Sequence, residues 1–237
     1  MPQHIGIVAC SAEGAALCYR TICAEGARLA GRHAHPEVSI HSHSLADYVE
    51  CLGRGDLHGV ANLMLSSARK LAAAGADFLI CPDNTIHQAF PEVEARSPRP
   101  WLHIAEVVAA EAAERGCTRL GLSGTRWLVE STVYPEKLAA RHLEWVLPSL
   151  AERVEIDRII MDELVCGVFK PEAVAAFQQM FQRMRDAGCD AVILGCTEIP
   201  LIMNDTNSPL PTLDSTRLLA RAALLRAFED DGRPRAG

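Results

Sequence analysis

The chain repeats itself. Residues 74–85 (AGADFLICPDNT) and residues 187–198 (AGCDAVILGCTE) each read as a helix end, a glycine, an aspartate, four apolar residues and a small polar tip. A helix that hands over to an unbroken apolar strand is the pattern of a sheet covered on both faces, which in α/β proteins is a parallel sheet. Finding the pattern twice restricts the fold to two equivalent α/β halves. Asp83 and Cys196 occupy matching tips, 113 positions apart. A second pair has nearly the same offset: IGIVACS at residues 5–11 resembles LGLSGT at residues 120–125, with Gly6 and Gly121 115 positions apart.

Strand-like runs alternate with amphipathic helical stretches along most of the chain. Strands are expected over residues 5–10, 38–43, 77–81, 119–123 and 190–194, with a short one near Val146 and a crossover at 101–104. Helices are expected over 13–30, 56–74, 106–115, 132–143 and 172–187, and from the capping residue Asp214 to about Phe228; Gly75, Gly116 and Gly188 close the helices before them. The reading is an α/β fold of two pseudo-symmetric lobes, each a parallel sheet flanked by helices, with the active site in the cleft between them. Ser97-Pro98-Arg99-Pro100 marks the break, and a second Pro-rich link, Ser208-Pro209-Leu210-Pro211, precedes the last helix. Residues 1–98 plus 211–237 are expected to form the first lobe, to which the C-terminal helix returns, and residues 99–210 the second. The polar tail after Glu229 is expected to fray. Two lobes of roughly 100 residues each are large enough to bury cores. Open parallel sheets take ligands beyond the C-terminal ends of their strands, so Ser11, Asp83, Thr125 and Cys196 are expected around one cavity.

Composition narrows the function. The net charge is −7 and there is no run of Lys or Arg, so neither nucleic acid nor a membrane surface is an expected partner. No apolar run approaches the roughly 18 residues of a membrane span. The apolar stretch at 5–10 is too short, and lacks the basic flank, for a signal peptide. The nine cysteines form no Cys-x-x-Cys and are read as reduced thiols of a cytoplasmic protein.

The two tips carry the chemistry. Cys196 lies in LGCTEIP. Gly195 permits close backbone approach, and Thr197 and Glu198 are expected to open a short helix or turn whose N–H groups activate a thiol. Asp83 lies in CPDNTIH, where Asp83, Asn84 and Thr85 offer a carboxylate, an amide and a hydroxyl; capping is the competing structural role for Asp83 and Asn84. Cys81 corresponds to Leu194 and is expected inside the strand. Ser11, Asn84, Thr85, Thr125 and Thr197 are the neutral donors for a substrate carboxylate, with Arg126 either an outer contact or a surface residue. His87 can orient Asp83, and Glu198 can assist Cys196. His33-x-His35 and His41-x-His43 have metal-binding spacing, but no third ligand is near in sequence, so no metal is expected. The second pair shares one side of a strand and, with Tyr48, is expected at the cavity rim.

Together these motifs resemble the aspartate/glutamate racemase superfamily. The likeness spans nearly the whole chain: the IGIV strand, Ser11 and Glu13, Pro-x-Asn-Thr-x-His at 82–87, Gly124-Thr125, Val133-Tyr134-Pro135 and Gly-Cys-Thr-Glu at 195–198. The resemblance implies a cofactor-independent, homodimeric racemase acting on a small carboxylate or amino acid. In such enzymes two cysteines, one per lobe, serve as thiolate base and thiol acid across the α-carbon. Cys196 matches the second cysteine. The first falls between Pro and Asn-Thr, where this chain has Asp83; where many relatives have Gly-Gly-Met-Ser-Pro, it has Ala9-Cys10-Ser11-Ala12. Superfamily members with one cysteine include arylmalonate decarboxylase-like enzymes, in which the thiol only delivers a proton.

An unlike pair has a built-in bias. Reference pKa values of about 3.9 for Asp and about 8.5 for Cys place the resting charge on Asp83, with the reverse arrangement about 6 kcal/mol higher. Burial of a carboxyl and a helix N-terminus at a thiol both narrow that gap. The first expectation is therefore a cofactor-independent racemase or epimerase that moves a proton between Asp83 and Cys196 at the α-carbon of an aspartate- or glutamate-like amino acid. A single-cysteine lyase, decarboxylase or cis–trans isomerase on a small dicarboxylate is the alternative, followed by a binding paralogue without turnover.

Overall fold

The structure, a computed structural model, describes residues 2–229; the tail expected to fray lies outside the described residues. It contains two four-stranded parallel sheets with helices around them, the α/β architecture read from the repeat. Contacts divide the chain into two units. One runs to Ile104 and resumes at Thr216; the other is Ala105–Ser215.

In the first unit, β1 (Ile5–Ala9) leads into α1 (Ala12–Ala30), and β2 (Val38–Ser42) into α2 (Leu45–Gly53) and α3 (Leu57–Ala73). β3 (Phe78–Ile80) is followed by a 3-10 turn (Thr85–Ala89), α4 (Phe90–Arg96) and β4 (Trp101–Leu102). The sheet order is β2-β1-β3-β4, with Ile5 in register with Val38 on one side and Phe78 on the other. The central strands β1 and β3 are buried at every position, which is why their sequences are unbroken apolar runs. Edge strand β2 is only partly buried and alternates apolar with polar residues.

The second unit repeats the plan. α5 (Ile104–Glu114), β5 (Arg119–Ser123), α6 (Arg126–Val129), α7 (Val133–Ala139) and β6 (Glu144–Val146) come first. α8 (Leu150–Arg158) then continues as a π-helical stretch (Ile159–Leu164), followed by α9 (Pro171–Asp186), β7 (Ala191–Leu194), a 3-10 turn (Ile199–Leu201) and β8 (Thr212–Asp214). The order β6-β5-β7-β8 matches that of the first sheet strand for strand. The last helix, α10 (Ser215–Glu229), packs in the first unit: Gln3 N–H donates to the Ala227 carbonyl at 2.8 Å, Arg221 pairs with Glu25 at 2.9 Å, and the Arg226 guanidinium lies 4.5 Å over the Phe78 ring. Because β4 pairs with β3 and β8 with β7, the units part after Ile104 and after Ser215, a few residues beyond the Pro-rich links.

The repeated Ala-Gly-x-Asp has one structural cause in both units. Gly75 and Gly188 follow α3 and α9 with φ of 97° and 84°, the left-handed conformation that ends a helix. Asp77 and Asp190 then clasp the first strand of their sheet. The Asp77 N–H donates to the His4 carbonyl while its carboxylate accepts the His4 N–H at 2.7 Å. Asp190 does the same to Arg119 and also accepts the Thr118 N–H and hydroxyl. These bonds fix how the third strand registers on the first.

Some elements differ from expectation. The helix expected over 132–143 stops at Ala139, and His142 sits at a φ of 58°. The helices α2, α4 and α8 and the strand β8 lie where no element was read. Among the described residues, no helix is long and apolar enough to cross a membrane.

Candidate functional site

In the second unit, β7 ends at Gly195-Cys196-Thr197-Glu198. The Gly195 N–H donates to the Ser123 carbonyl at 2.9 Å. A Cβ at position 195 would stand 2.5 Å from that oxygen and 2.6 Å from Leu128 Cδ2, so only glycine fits without displacement. Cys196 is 9% exposed, at the edge of an apolar cluster that includes Leu194, Ile199, Ile202 and Met203. Its S–H donates to Glu198 Oε2 at 2.9 Å, and the Thr197 hydroxyl donates to the same oxygen at 2.7 Å. Thr197 and Glu198 are both buried.

Of the short helix or turn expected at Thr197 and Glu198, the structure has the turn. The 3-10 turn begins only at Ile199 and is too short to carry much of a dipole. The Cys196 thiol and the Glu198 carboxylate form a hydrogen-bonded pair. Thr125 is buried and caps α6, its hydroxyl oxygen accepting the Leu128 N–H at 3.3 Å. Arg126 is exposed: its backbone N–H donates to the Asp157 carboxylate at 2.7 Å, and its guanidinium lies 3.9 Å from Glu130.

In the first unit, β3 ends at Cys81-Pro82-Asp83. Asp83 is half-buried, and its Oδ1 accepts the Ile86 N–H at 3.2 Å, capping the 3-10 turn. The backbone carbonyl of Asp83 accepts His87 Nδ1–H at 2.6 Å. His87 therefore holds the Asp83 backbone rather than its carboxylate. The imidazole is itself stacked on Phe90 at 5.4 Å and edge-on to His103 at 4.7 Å. Asn84 and Thr85 are buried. Cys81 is fully buried, and burial followed by the nearby Asp83 pushes its thiol well up, as suits an interior residue. Ser11 caps α1, accepting the Gly14 N–H at 3.2 Å. Ser11 and Thr125, equivalent in the repeat, thus do the same structural job; a hydroxyl that accepts a cap bond keeps its own hydrogen to donate.

The parallel pairing sets Ser11 and Asp83 at neighbouring strand ends in one unit, and Thr125 and Cys196 at neighbouring strand ends in the other. The ring of His41, on β2, and that of His43, one residue past its end, lie edge-on with centroids 4.9 Å apart. Among the described residues, no group of three or more His, Cys, Asp or Glu converges to hold a metal, and no disulfide joins any of the nine cysteines. Sequence reasoning passed over Ser67, which is wholly buried. The signal was present: Ser67 interrupts the buried stripe Val60, Met64, Leu71 along α3.

Comparison with known proteins gives the family and the fold. The family model of Asp/Glu/Hydantoin racemase matches residues 7–223. The broad specificity amino-acid racemase RacX of Bacillus subtilis is 23% identical over 164 residues, 68% of this chain and 69% of its own length. A crystal structure from Yersinia pestis, provisionally named an Asp/Glu racemase, superposes with a TM-score of 0.87 at 28% identity, covering 96% of this chain and 100% of that one. An aspartate racemase homologue from Pyrococcus horikoshii does so with a TM-score of 0.80 at 27% identity, covering 97% and 100%.

Proposed function

Because the chain belongs to the Asp/Glu/Hydantoin racemase family and is an isomerase, we propose that it racemises or epimerises an aspartate- or glutamate-like amino acid, without a cofactor, by proton transfer between Asp83 and Cys196. The observation that carries this reading is the pairing of unlike titratable groups at matching strand ends: a half-buried carboxylate after β3, and after β7 a thiol bonded to Glu198 at 2.9 Å.

In the forward direction Asp83 removes the α-proton from one face. The negative charge spreads into the substrate carboxylate, where neutral donors (Ser11, Asn84, Thr85, Thr125 and Thr197) hold it without competing for the proton. Cys196 delivers its S–H proton to the opposite face and becomes a thiolate. Glu198 aims the thiol and is a positioning residue, as is His87 for the Asp83 backbone. Arg126, on the surface beside Thr125, contacts the distal end of a longer substrate. The reading extends to a homodimer working in the cytoplasm.

The test is incubation of the protein with L-aspartate or L-glutamate in deuterated water. Deuterium at the α-carbon together with loss of optical rotation is expected, and Cys196→Ser is expected to lower the rate by roughly 10²–10⁴-fold, the usual worth of a general acid. Wild-type protein that leaves both amino acids unlabelled, or a Cys196→Ser variant with full activity, would refute it.

A further inference from the structure

Two buried imidazoles, His87 and His103, stand close to the Asp83 tip. With Phe90 they make a triangle of rings. His87 lies nearly parallel to Phe90, with 5.4 Å between centroids and 17° between planes. His103 stands across both, 4.7 Å and 63° from His87, and 4.7 Å and 80° from Phe90. Trp101 meets Phe90 edge-on at 5.9 Å, and its indole N–H donates to Ser97 Oγ at 2.7 Å. The three rings of the triangle come from separate parts of the first unit: His87 from the 3-10 turn, Phe90 from the start of α4, and His103 from the residue after β4.

The orientation of one ring decides a hydrogen bond to the tip. A carbonyl oxygen only accepts, so the 2.6 Å contact with the Asp83 carbonyl requires the hydrogen on His87 Nδ1. Phe90 on the face of the imidazole and His103 at a steep angle to it fix the plane of the ring, and with it the line along which Nδ1–H points. The Asp83 side chain is held from the same turn, because its Oδ1 accepts the Ile86 N–H at 3.2 Å. The 3-10 turn thus aims both the main chain and the carboxylate of Asp83, and His103 braces that turn from outside it. His103 has a rigid footing. Leu102 pairs with Ile80, so His103 leaves the sheet abreast of Cys81, two residues before Asp83.

We propose that His103 is a positioning residue for Asp83: with Phe90 it clamps the His87 ring, His87 holds the Asp83 carbonyl, and the carboxylate is thereby kept in place for the α-proton. The proposal rests on Asp83 acting as the acid–base group of the first unit. Proton abstraction is sensitive to position, a displacement of about 1 Å costing up to about 100-fold in rate. Substrate binding is spread over neutral donors at several strand ends and is much less sensitive. Loosening the clamp therefore lowers kcat and leaves KM nearly unchanged. The contact His103 makes is that of a flat ring set edge-on to its neighbours. A phenyl ring at this position keeps the clamp, and an aliphatic side chain of similar size does not.

The experiment compares wild type, His103→Phe, His103→Leu and Phe90→Leu in the racemisation of L-aspartate and L-glutamate, below the Tm of each protein, and follows the His87 Nδ1–H resonance by NMR. His103→Leu is expected to lose about 10- to 100-fold in kcat with KM within about twofold. The His87 Nδ1–H signal, slowly exchanging in wild type, is expected to broaden in that variant. His103→Phe is expected to stay within about threefold of wild type in kcat and to keep the signal. Phe90→Leu opens the other side of the same clamp and is expected to repeat the loss, so it reads the clamp even if His103→Leu fails to fold. Leucine variants with full kcat, a His103→Phe variant as slow as His103→Leu, or a loss that appears in KM instead of kcat overturns the clamp alone. A wild type that racemises neither amino acid overturns the Asp83–Cys196 reading, and the role of His103 with it.

Discussion

Two glycines in the second unit meet equally close neighbours and should nevertheless respond oppositely to alanine. At Gly195 a Cβ would lie 2.5 Å from the Ser123 carbonyl oxygen and 2.6 Å from Leu128 Cδ2. Ser123 cannot retreat: its carbonyl accepts the Gly195 N–H at 2.9 Å, and its hydroxyl is bonded to the Ile193 carbonyl at 2.6 Å. Relief requires the end of β7 to lift away from β5, at the loss of a hydrogen bond worth about 1 kcal/mol on top of an overpacking cost of about 1–3 kcal/mol. Gly195→Ala is therefore expected to destabilise by about 3 kcal/mol, which for a chain of this size is a fall in Tm of roughly 6–12 °C. At Gly121 the nearest atom is also 2.5 Å away, but it is the Met184 Sδ, the far part of a flexible thioether side chain that can turn aside. Gly121→Ala is expected to cost less than about 1 kcal/mol. Thermal and urea denaturation of the two variants, followed by circular dichroism, gives the comparison. Equal shifts for both, or a Gly195→Ala shift below about 2 °C, would refute the assignment of Gly195 to a rigid backbone approach.

Two further outcomes are expected. The N–H groups of Thr118 and Arg119, then the Thr118 hydroxyl, hold the Asp190 carboxyl below the usual carboxylate range; a lowered pKa contributes stability that is complete above the unfolded value and is lost as pH falls through the folded one. The stability difference between wild type and Asp190→Asn, measured by urea denaturation, should hold steady from neutral pH to about 5 and close below about 4; a difference unchanged at about pH 3 would show that the clasp does not depend on charge. Asp83→Cys removes the bias of about 6 kcal/mol between unlike groups and should raise the racemisation rate at least about tenfold, equivalent to about 1.4 kcal/mol of barrier; a folded variant with no gain would mean that the chemistry at this tip is not shared proton transfer.

The parts of the fold that could be read in advance are those whose burial is written locally. β1, β3 and β7 are covered on both faces, so their residues are apolar without interruption, and the glycines after α3 and α9 announce the turns by the φ they must adopt. α8 carried no such sign. Leu150 and Val154 face water at 75% and 63% exposure, α8 itself buries only Ile156, and the next buried residues, Ile159 and Ile160, already lie in the π-helical stretch, so no 3.6-residue stripe exists to be found. β8 is three residues long and owes its existence to pairing with β7.

The same division runs through the candidate site. That Asp83 and Cys196 terminate equivalent strands follows from a repeat in the amino-acid order, because strand, tip and helix stop are near neighbours along the chain. Which group each tip would answer to could not be read the same way. Glu198 is two positions from Cys196, yet that its carboxylate accepts from the thiol follows from the turn the chain makes at Thr197 and Glu198, not from residue spacing. Ser67 meets His41 across 26 positions because α3 lies against β2. Local order in a polypeptide dictates periodicity, capping and where a chain must turn. The direction in which a buried side chain points, and what it finds there, depends on the packing of elements remote in sequence, and is decided only when the sheet has closed.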